Sequence, residues 1–425
     1  MVCPGLLVRA GAPEGGRRLP LKDHRMAIPA HVPADRVVDF DRFSGPELAR
    51  CPHQQVSALF QASPDLFFTP HDRGHWVVAR AEIARDMLRQ PDKFSSHPRH
   101  NPANQRNPRT LPNQSDPPEH TELRRIVNGF FSPSGVQTMA PAIRDLAREL
   151  IAAVRDRGQC EFVGEIARIF PVVLFLRMAG APLQDREQLS AMADRFTRSP
   201  DVKDRLAALE DLATYLRGLI AAREQQPADD LVSLVVHGRI GDRVLDDDEK
   251  IGMVTLLFLG GLDTVAATLS FFMLFLADHP DHYRQLVQDP GLIPAAIEEL
   301  MRVHGVAGTE RGVTTDMHYA GVDLKAGDRL VFPAHVYGIC NQATQDPLTV
   351  DFSRPVSTHL VFGAGPHRCL GSNLARLEMR IFLEEWIAQI PAFHRASDGE
   401  VATRGGLVWS PVEVNLAWPV MGSTP

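Results

Sequence analysis

Cysteine is scarce in this chain. The five present, Cys3, Cys51, Cys160, Cys340 and Cys369, are odd in number and scattered over 425 residues, with no CxxC pair. Neither a disulfide framework nor a zinc site is signalled, and a reducing, cytoplasmic setting fits best. Excess positive charge is lacking too. A net charge of −7 excludes non-specific nucleic-acid binding and leaves room only for a local basic patch. The N-terminal stretch has an apolar run of only about four residues, too short for a secretory signal. Residues 1–26 read as a disordered extension, with Met26 as an alternative start. No long linker, low-complexity tract or fixed-period repeat interrupts residues 27–425, and length alone does not settle their domain count.

What is present is ordinary globular composition, 44% hydrophobic and 23% charged, arranged mostly at helical spacing. Segments 135–158 and 204–227 repeat apolar residues every three to four positions, and close at a glycine and before a proline. Strand signals are short, at 74–80 and within 317–335. The fold class expected is mainly α with small β-sheets. Residues 97–118 carry Pro, Asn and Arg with almost no apolar side chain and read as a long irregular loop, the kind usually tied to function or disorder. Residues 251–277 are nearly all apolar and long enough to span a membrane. Asp263 near the centre and the acidic flank 246–250 favour instead a long, buried central helix.

The chemistry concentrates in "FGAGPHRCLG", Phe362 to Gly371. Gly363 and Gly365 let backbone approach a flat or bulky partner, and Cys369 stands just before an amphipathic helix, where free N–H groups and the dipole lower a thiol's pKa. Three readings compete: a buried structural cysteine, a dinucleotide fingerprint spoiled by Arg368 at its third small position, and an axial thiolate to haem iron.

Phe362-Gly363-x-Gly365-x-x-x-Cys369-x-Gly371 resembles the haem-binding signature of the cytochrome P-450 superfamily, and three further motifs follow its order. Glu299-x-x-Arg302 alone would be a weak surface pair; the resemblance implies a buried, structural pair joined by Arg354. Gly260-Gly261-Leu262-Asp263-Thr264 places two glycines inside a helix, each costing about 1 kcal/mol relative to alanine. Close helix packing is one explanation; the resemblance implies an oxygen-binding groove in which Thr264 and Asp263 manage protons, with Arg198 paired to Asp263. His120-x-x-x-Arg124 shares one helical face and can grip an anion; the resemblance assigns both to a haem propionate, with Arg311 and His367 making the other propionate contacts.

From about residue 28 to residue 411 the chain is similar to the bacterial camphor 5-monooxygenase group within that superfamily. This implies a triangular, single-domain fold with haem b between the long helix and the cysteine helix. It also implies a three-component system of NADH, a flavin reductase and a [2Fe–2S] ferredoxin. A basic patch of Arg124, Arg125, Arg368, Arg376 and Arg380 on the thiolate side would suit an acidic ferredoxin. The substrate-orienting tyrosine of that group is replaced here by Pro108, which removes a hydroxyl donor worth roughly 0.5–1.5 kcal/mol. His100 is the candidate replacement donor. Leu256, Leu259, Ala307, Leu407 and Val408 are expected to line an apolar pocket. A small hydrophobic cyclic substrate follows, a monoterpenoid or a norisoprenoid such as ionone, with camphor disfavoured. The alternatives are a peroxide-driven haem peroxygenase and a non-catalytic haem-binding sensor.

Overall fold

The computed structural model describes residues 25–101, 106–340, 345–355 and 359–420. All but Arg25 and Met26 of the expected N-terminal extension lies outside them. Met26 N–H donates to Pro70 O (2.9 Å).

Helices carry most of the chain, as the 3.6-residue periodicity predicts. The segment at 135–158 forms a short helix, Pro133–Gln137, and a long one, Ala140–Arg155; that at 204–227 forms Val202–Gln225. The cysteine helix Ser372–Gln389 packs on Ala140–Arg155. Arg144 and Arg148 fasten the two together through Glu384 and Glu385.

The apolar run differs from the single helix expected of it. It starts at Asp247 under a capping box, in which Asp246 Oδ1 accepts from Glu249 N–H and Glu249 Oε2 from Asp246 N–H, both at 2.8 Å. It ends at Gly261 and resumes as a second helix, Thr264–Asp278. Leu262 and Asp263 form the break, Asp263 at φ −133°, ψ −37°. Most of Asp247–Asp278 is buried inside the protein, although it is long and apolar enough to cross a membrane.

Five strands form the main sheet: β1 (Leu66–Thr69), β2 (His75–Val78), β3 (Phe94–Ser95), β4 (Thr309–Val313) and β5 (Arg329–Phe332). Their order is β1-β2-β5-β4-β3, antiparallel except where β5 runs parallel to β2. The two-residue alternation of a strand sends Phe67 and Val77 into the helical core, and Leu66, Phe68, Trp76 and Val78 into a second core with Leu330 and Phe332. The sheet is thus buried on both faces. Cys160, Cys340 and Cys369 are free thiols; Cys51 is disulfide-bonded, which the scattered spacing did not signal.

Candidate active site

Cys369 lies between a 3-10 turn, Gly365–His367, and the helix Ser372–Gln389. Its N–H donates to Phe362 O (2.8 Å) and Gly363 N–H donates to Leu360 O (2.7 Å), folding the segment back on itself. Gly363 and Gly365 both adopt left-handed backbone, φ 70° and 69°, which strains any side chain. Their surroundings differ. A Cβ on Gly365 would overlap the Leu88 carbonyl, whereas one on Gly363 would have only His367 O nearby, at 3.9 Å. Gly365 therefore packs against protein, a correction to the expectation that both glycines face a flat partner. Phe362 lies under the Arg376 guanidinium, 4.5 Å from its ring centre. Burial pushes the Cys369 thiol up; the Gly371 N–H, then Arg124, Arg376 and Arg368, pull it down. A peptide N–H and several cations are the surroundings a thiolate ligand needs.

The helix break gives the two glycines separate reasons. A Cβ on Gly261 would overlap the Phe175 ring, so close packing explains that position, while a Cβ on Gly260 would meet nothing within 4 Å. Only Gly260 leaves the helix open. One turn on, Thr264 Oγ1 donates to Gly260 O (3.1 Å). Asp263 Oδ1 accepts from Arg198 Nη2 (2.8 Å) and Oδ2 from Thr197 Oγ1 (3.3 Å). The other end of Arg198 donates to Asp194 Oδ1 (2.8 Å). Burial lowers the Arg198 pKa, but Asp263 and Asp194 outweigh it. Asp194 and Thr197 were missed as partners, although Asp194 stands four residues before Arg198, the spacing of one helical face.

A third group collects donors. The rings of His120 and His367 stand 4.1 Å apart, and Arg124 Nη1 reaches Pro366 O at 3.2 Å. Arg311 is buried, and its Nη1 donates to Thr309 Oγ1 (3.0 Å) and Glu310 O (2.6 Å). His120 Nδ1 and His367 Nε2 are buried without a hydrogen-bond partner. Burial, then Arg124 and Arg311, lowers the His120 pKa to about 4; burial, then Arg311, His120 and Arg124, lowers that of His367 further. Asp116, which attracts His120 and Arg311, is engaged by Ser95 Oγ and by Ser96 N–H (2.8 Å). Orphaned donors and cations that depress one another's proton affinity call for a dianion. The two propionates of a haem fit that requirement.

The remaining residues fall into two sets. Glu299 and Arg302 are buried, with Arg302 Nε and Nη2 each 2.8 Å from the carboxylate and Arg354 Nε 3.0 Å from Glu299 Oε1. Arg302 also donates to the carbonyls of Gly338, Pro347 and Thr349. Ala307 and Val408 pair across an isolated bridge, and Leu407 N–H donates to Thr197 O (2.7 Å), which brings that segment beside the Asp263 partners. Leu256 and Leu259 lie on the helix leading to Gly260, and Pro108 is buried. His100 Nε2 accepts from Arg99 Nε (3.0 Å), which leaves Nδ1 as the ring's donor nitrogen.

A family model for cytochrome P450 matches residues 184–389. The probable cytochrome P450 127A1 of Sinorhizobium fredii is 32% identical over 408 residues, which cover 92% of this chain and 97% of that protein. The chain belongs to the cytochrome P450 family. The vitamin D3 dihydroxylase of Streptomyces griseolus is 29% identical over 88% of this chain and 96% of its own length. The crystal structure of CYP101J2 superposes with a TM-score of 0.83 at 34% identity, covering 93% of this chain and all of that one. This cytochrome P450 is a monooxygenase with haem b as its cofactor, and it uses O2 and a redox partner protein. Haem supplies the iron-centred reductive activation of dioxygen.

Proposed function

We propose that this cytochrome P450 hydroxylates a small hydrophobic cyclic compound, a monoterpenoid or norisoprenoid such as ionone, in the cytoplasm. Two electrons come from NADH through a reductase and a [2Fe–2S] ferredoxin. The observation that carries the oxygenase half is the Gly260-to-Thr264 turn. An open glycine, a hydroxyl one turn on and a carboxylate tethered to a buried arginine place a proton supply beside an apolar pocket. Cys369 is the iron ligand; His120, Arg124, Arg311 and His367 hold the propionates; Phe362 and Gly363 border the ring. Thr264 Oγ1 holds a donor proton at the pocket floor. When its bond to Arg198 Nη2 opens, Asp263 Oδ1 takes a proton from solvent and passes it to Thr264 Oγ1, a relay by a positioned carboxylate.

Leu256, Leu259, Ala307, Leu407 and Val408 supply the apolar lining, and Pro108 in place of an orienting tyrosine argues against camphor. For the ferredoxin, Arg376 is held by Glu298 (2.5 and 2.8 Å) and Arg380 faces Glu384 (3.8 Å). The docking patch therefore narrows to Arg124, Arg125 and Arg368, of which Arg125 and Arg368 are exposed. Cytoplasmic location is supported by the three free thiols and opposed by the Cys51 disulfide. The test compares product formed with NADH, reductase and ferredoxin against product formed with hydrogen peroxide alone. Faster turnover with peroxide would replace this reading with a peroxygenase.

A further inference from the structure

The loss of the tyrosine donor leaves open what orients the substrate, and a different residue of the same loop answers. Arg106 places its guanidinium 5.0 Å from the centre of the Phe196 ring. Its one hydrogen bond among the described residues is a long one, from Nη1 to Thr110 Oγ1 at 3.4 Å. A guanidinium carries five N–H donors, so most of its capacity is unused. Burial lowers its pKa to about 10, yet the residue retains accessible surface.

The neighbours locate the guanidinium. Leu111 N–H donates to Gly252 O (3.1 Å), which seats the loop on the helix Asp247–Gly261 one turn before Leu256. Phe196 directly precedes Thr197, whose hydroxyl reaches Asp263 and whose carbonyl accepts from Leu407 N–H. Arg106 thus stands where the pocket-bearing helix, the Arg198 helix and the Leu407 segment converge.

No carboxylate is left over for it. Glu310 and Asp72, the acids of the adjoining buried cluster, are shared by three other arginines. Arg42 reaches Asp72 at 2.7 Å and Glu310 at 2.5 Å; Arg329 reaches them at 2.9 and 2.7 Å; Arg205 reaches Asp72 at 2.9 Å. With Arg106 the cluster holds four guanidinium groups against two carboxylates. A buried excess of positive charge with open donors recognises an anion, and a planar fork recognises a carboxylate in two places at once.

We propose that Arg106 is the substrate-orienting residue and that the substrate is a compact cyclic hydrophobe bearing a carboxylate. The carboxylate is held by the Arg106 guanidinium, while the ring lies against Leu256 and Leu407. The inference rests on the monooxygenase reading of this pocket and narrows its substrate class to acids.

The experiment is calorimetric binding to the haem-loaded protein, with no turnover required. The probes are cyclohexylacetic acid and 4-cyclohexylbutanoic acid, each beside its methyl ester. In the wild type at least one acid binds about tenfold or more tightly than its ester, the factor expected of a charge-assisted hydrogen bond. Arg106→Gln abolishes that difference and leaves the ester's affinity and the melting temperature unchanged. Arg106→Lys, which keeps the charge but not the fork, retains part of it. Equal affinities of acids and esters in the wild type, weak or absent binding of both included, overturn the proposal without any variant. So does an acid preference that survives in Arg106→Gln. Acids that bind through Arg106 but are not hydroxylated under NADH would instead count against the oxygenase reading and leave this one standing.

Discussion

Arg198 bridges two carboxylates, Asp263 through Nη2 and Asp194 through Nη1, each at 2.8 Å. The arginine is buried, whereas Asp194 is partly exposed. Arg198 therefore has a second anion to hold when Asp263 turns away, and the cost of opening the inner pair falls. Asp263→Asn should slow NADH-driven product formation about a hundredfold, the usual scale of a lost acid–base group, and raise the solvent isotope effect. Asp194→Asn should slow it less, by removing the second anchor. Equal rates for all three proteins would sink the assignment.

Thr264→Ala tests the hydroxyl alone. NADH consumption is expected to persist while product falls and hydrogen peroxide accumulates in its place. Unchanged coupling of NADH to product would show that Thr264 has no part in proton delivery and would favour a haem-binding role.

The adjacent glycines give opposite expectations. Gly261→Ala forces a methyl group into the Phe175 ring and should lower stability by about 1–3 kcal/mol, as overpacking does. Gly260→Ala meets open space and gains helix propensity of up to about 1 kcal/mol. It should melt no lower than wild type yet change which substrates bind. Paired melting curves and a substrate titration decide both.

Acid should weaken the fold through its buried histidines. His53 and His304 rings lie 5.4 Å apart, and Trp409 contacts both His53 and His335, at 5.5 and 3.8 Å. Burial lowers His53 from 6.5 to about 4 and His335 to about 3. Folded-state values below the unfolded one mean that stability is complete above about pH 6.5 and is lost as pH falls towards the folded values. His53 alone accounts for about 2 kcal/mol between pH 7 and pH 5. His53→Gln, which can still donate to Gly305 O, should flatten the dependence of melting temperature on pH; an unaltered slope would exclude this residue as its source.

Glu299→Gln leaves the buried Arg302 without its countercharge. A loss of about 3–5 kcal/mol is expected, seen as a sharply lower yield of haem-loaded protein with the red-shifted Soret band of its reduced, CO-bound form. A normal yield would mean that the carbonyls of Gly338, Pro347 and Thr349 suffice.

Features written in local spacing were legible in the sequence. The helical periods at 135–158 and 204–227, the cysteine loop and the Glu299–Arg302 step depend on residues within a turn or two of each other. The Arg198–Asp263 and Arg354–Glu299 contacts were reached through resemblance, since nothing in spacing joins residues so far apart. What stayed hidden depends on neighbours from elsewhere in the chain. Phe175 decides Gly261, Leu88 decides Gly365, and Phe196 with the committed acids decides Arg106. The single apolar run gave no sign of the break at Leu262–Asp263, because apolar content reports burial and not backbone continuity.

The donors around His120 and His367 bear on how the protein comes to exist in the cell. Two arginines and two buried imidazoles gather with Asp116 already engaged, an arrangement short of countercharge until a dianion enters. Haem is then a counterion as well as a reagent, and chain closure and cofactor capture form a single equilibrium. The amount of folded protein an expressing cell accumulates should therefore track its supply of haem, before any substrate is met.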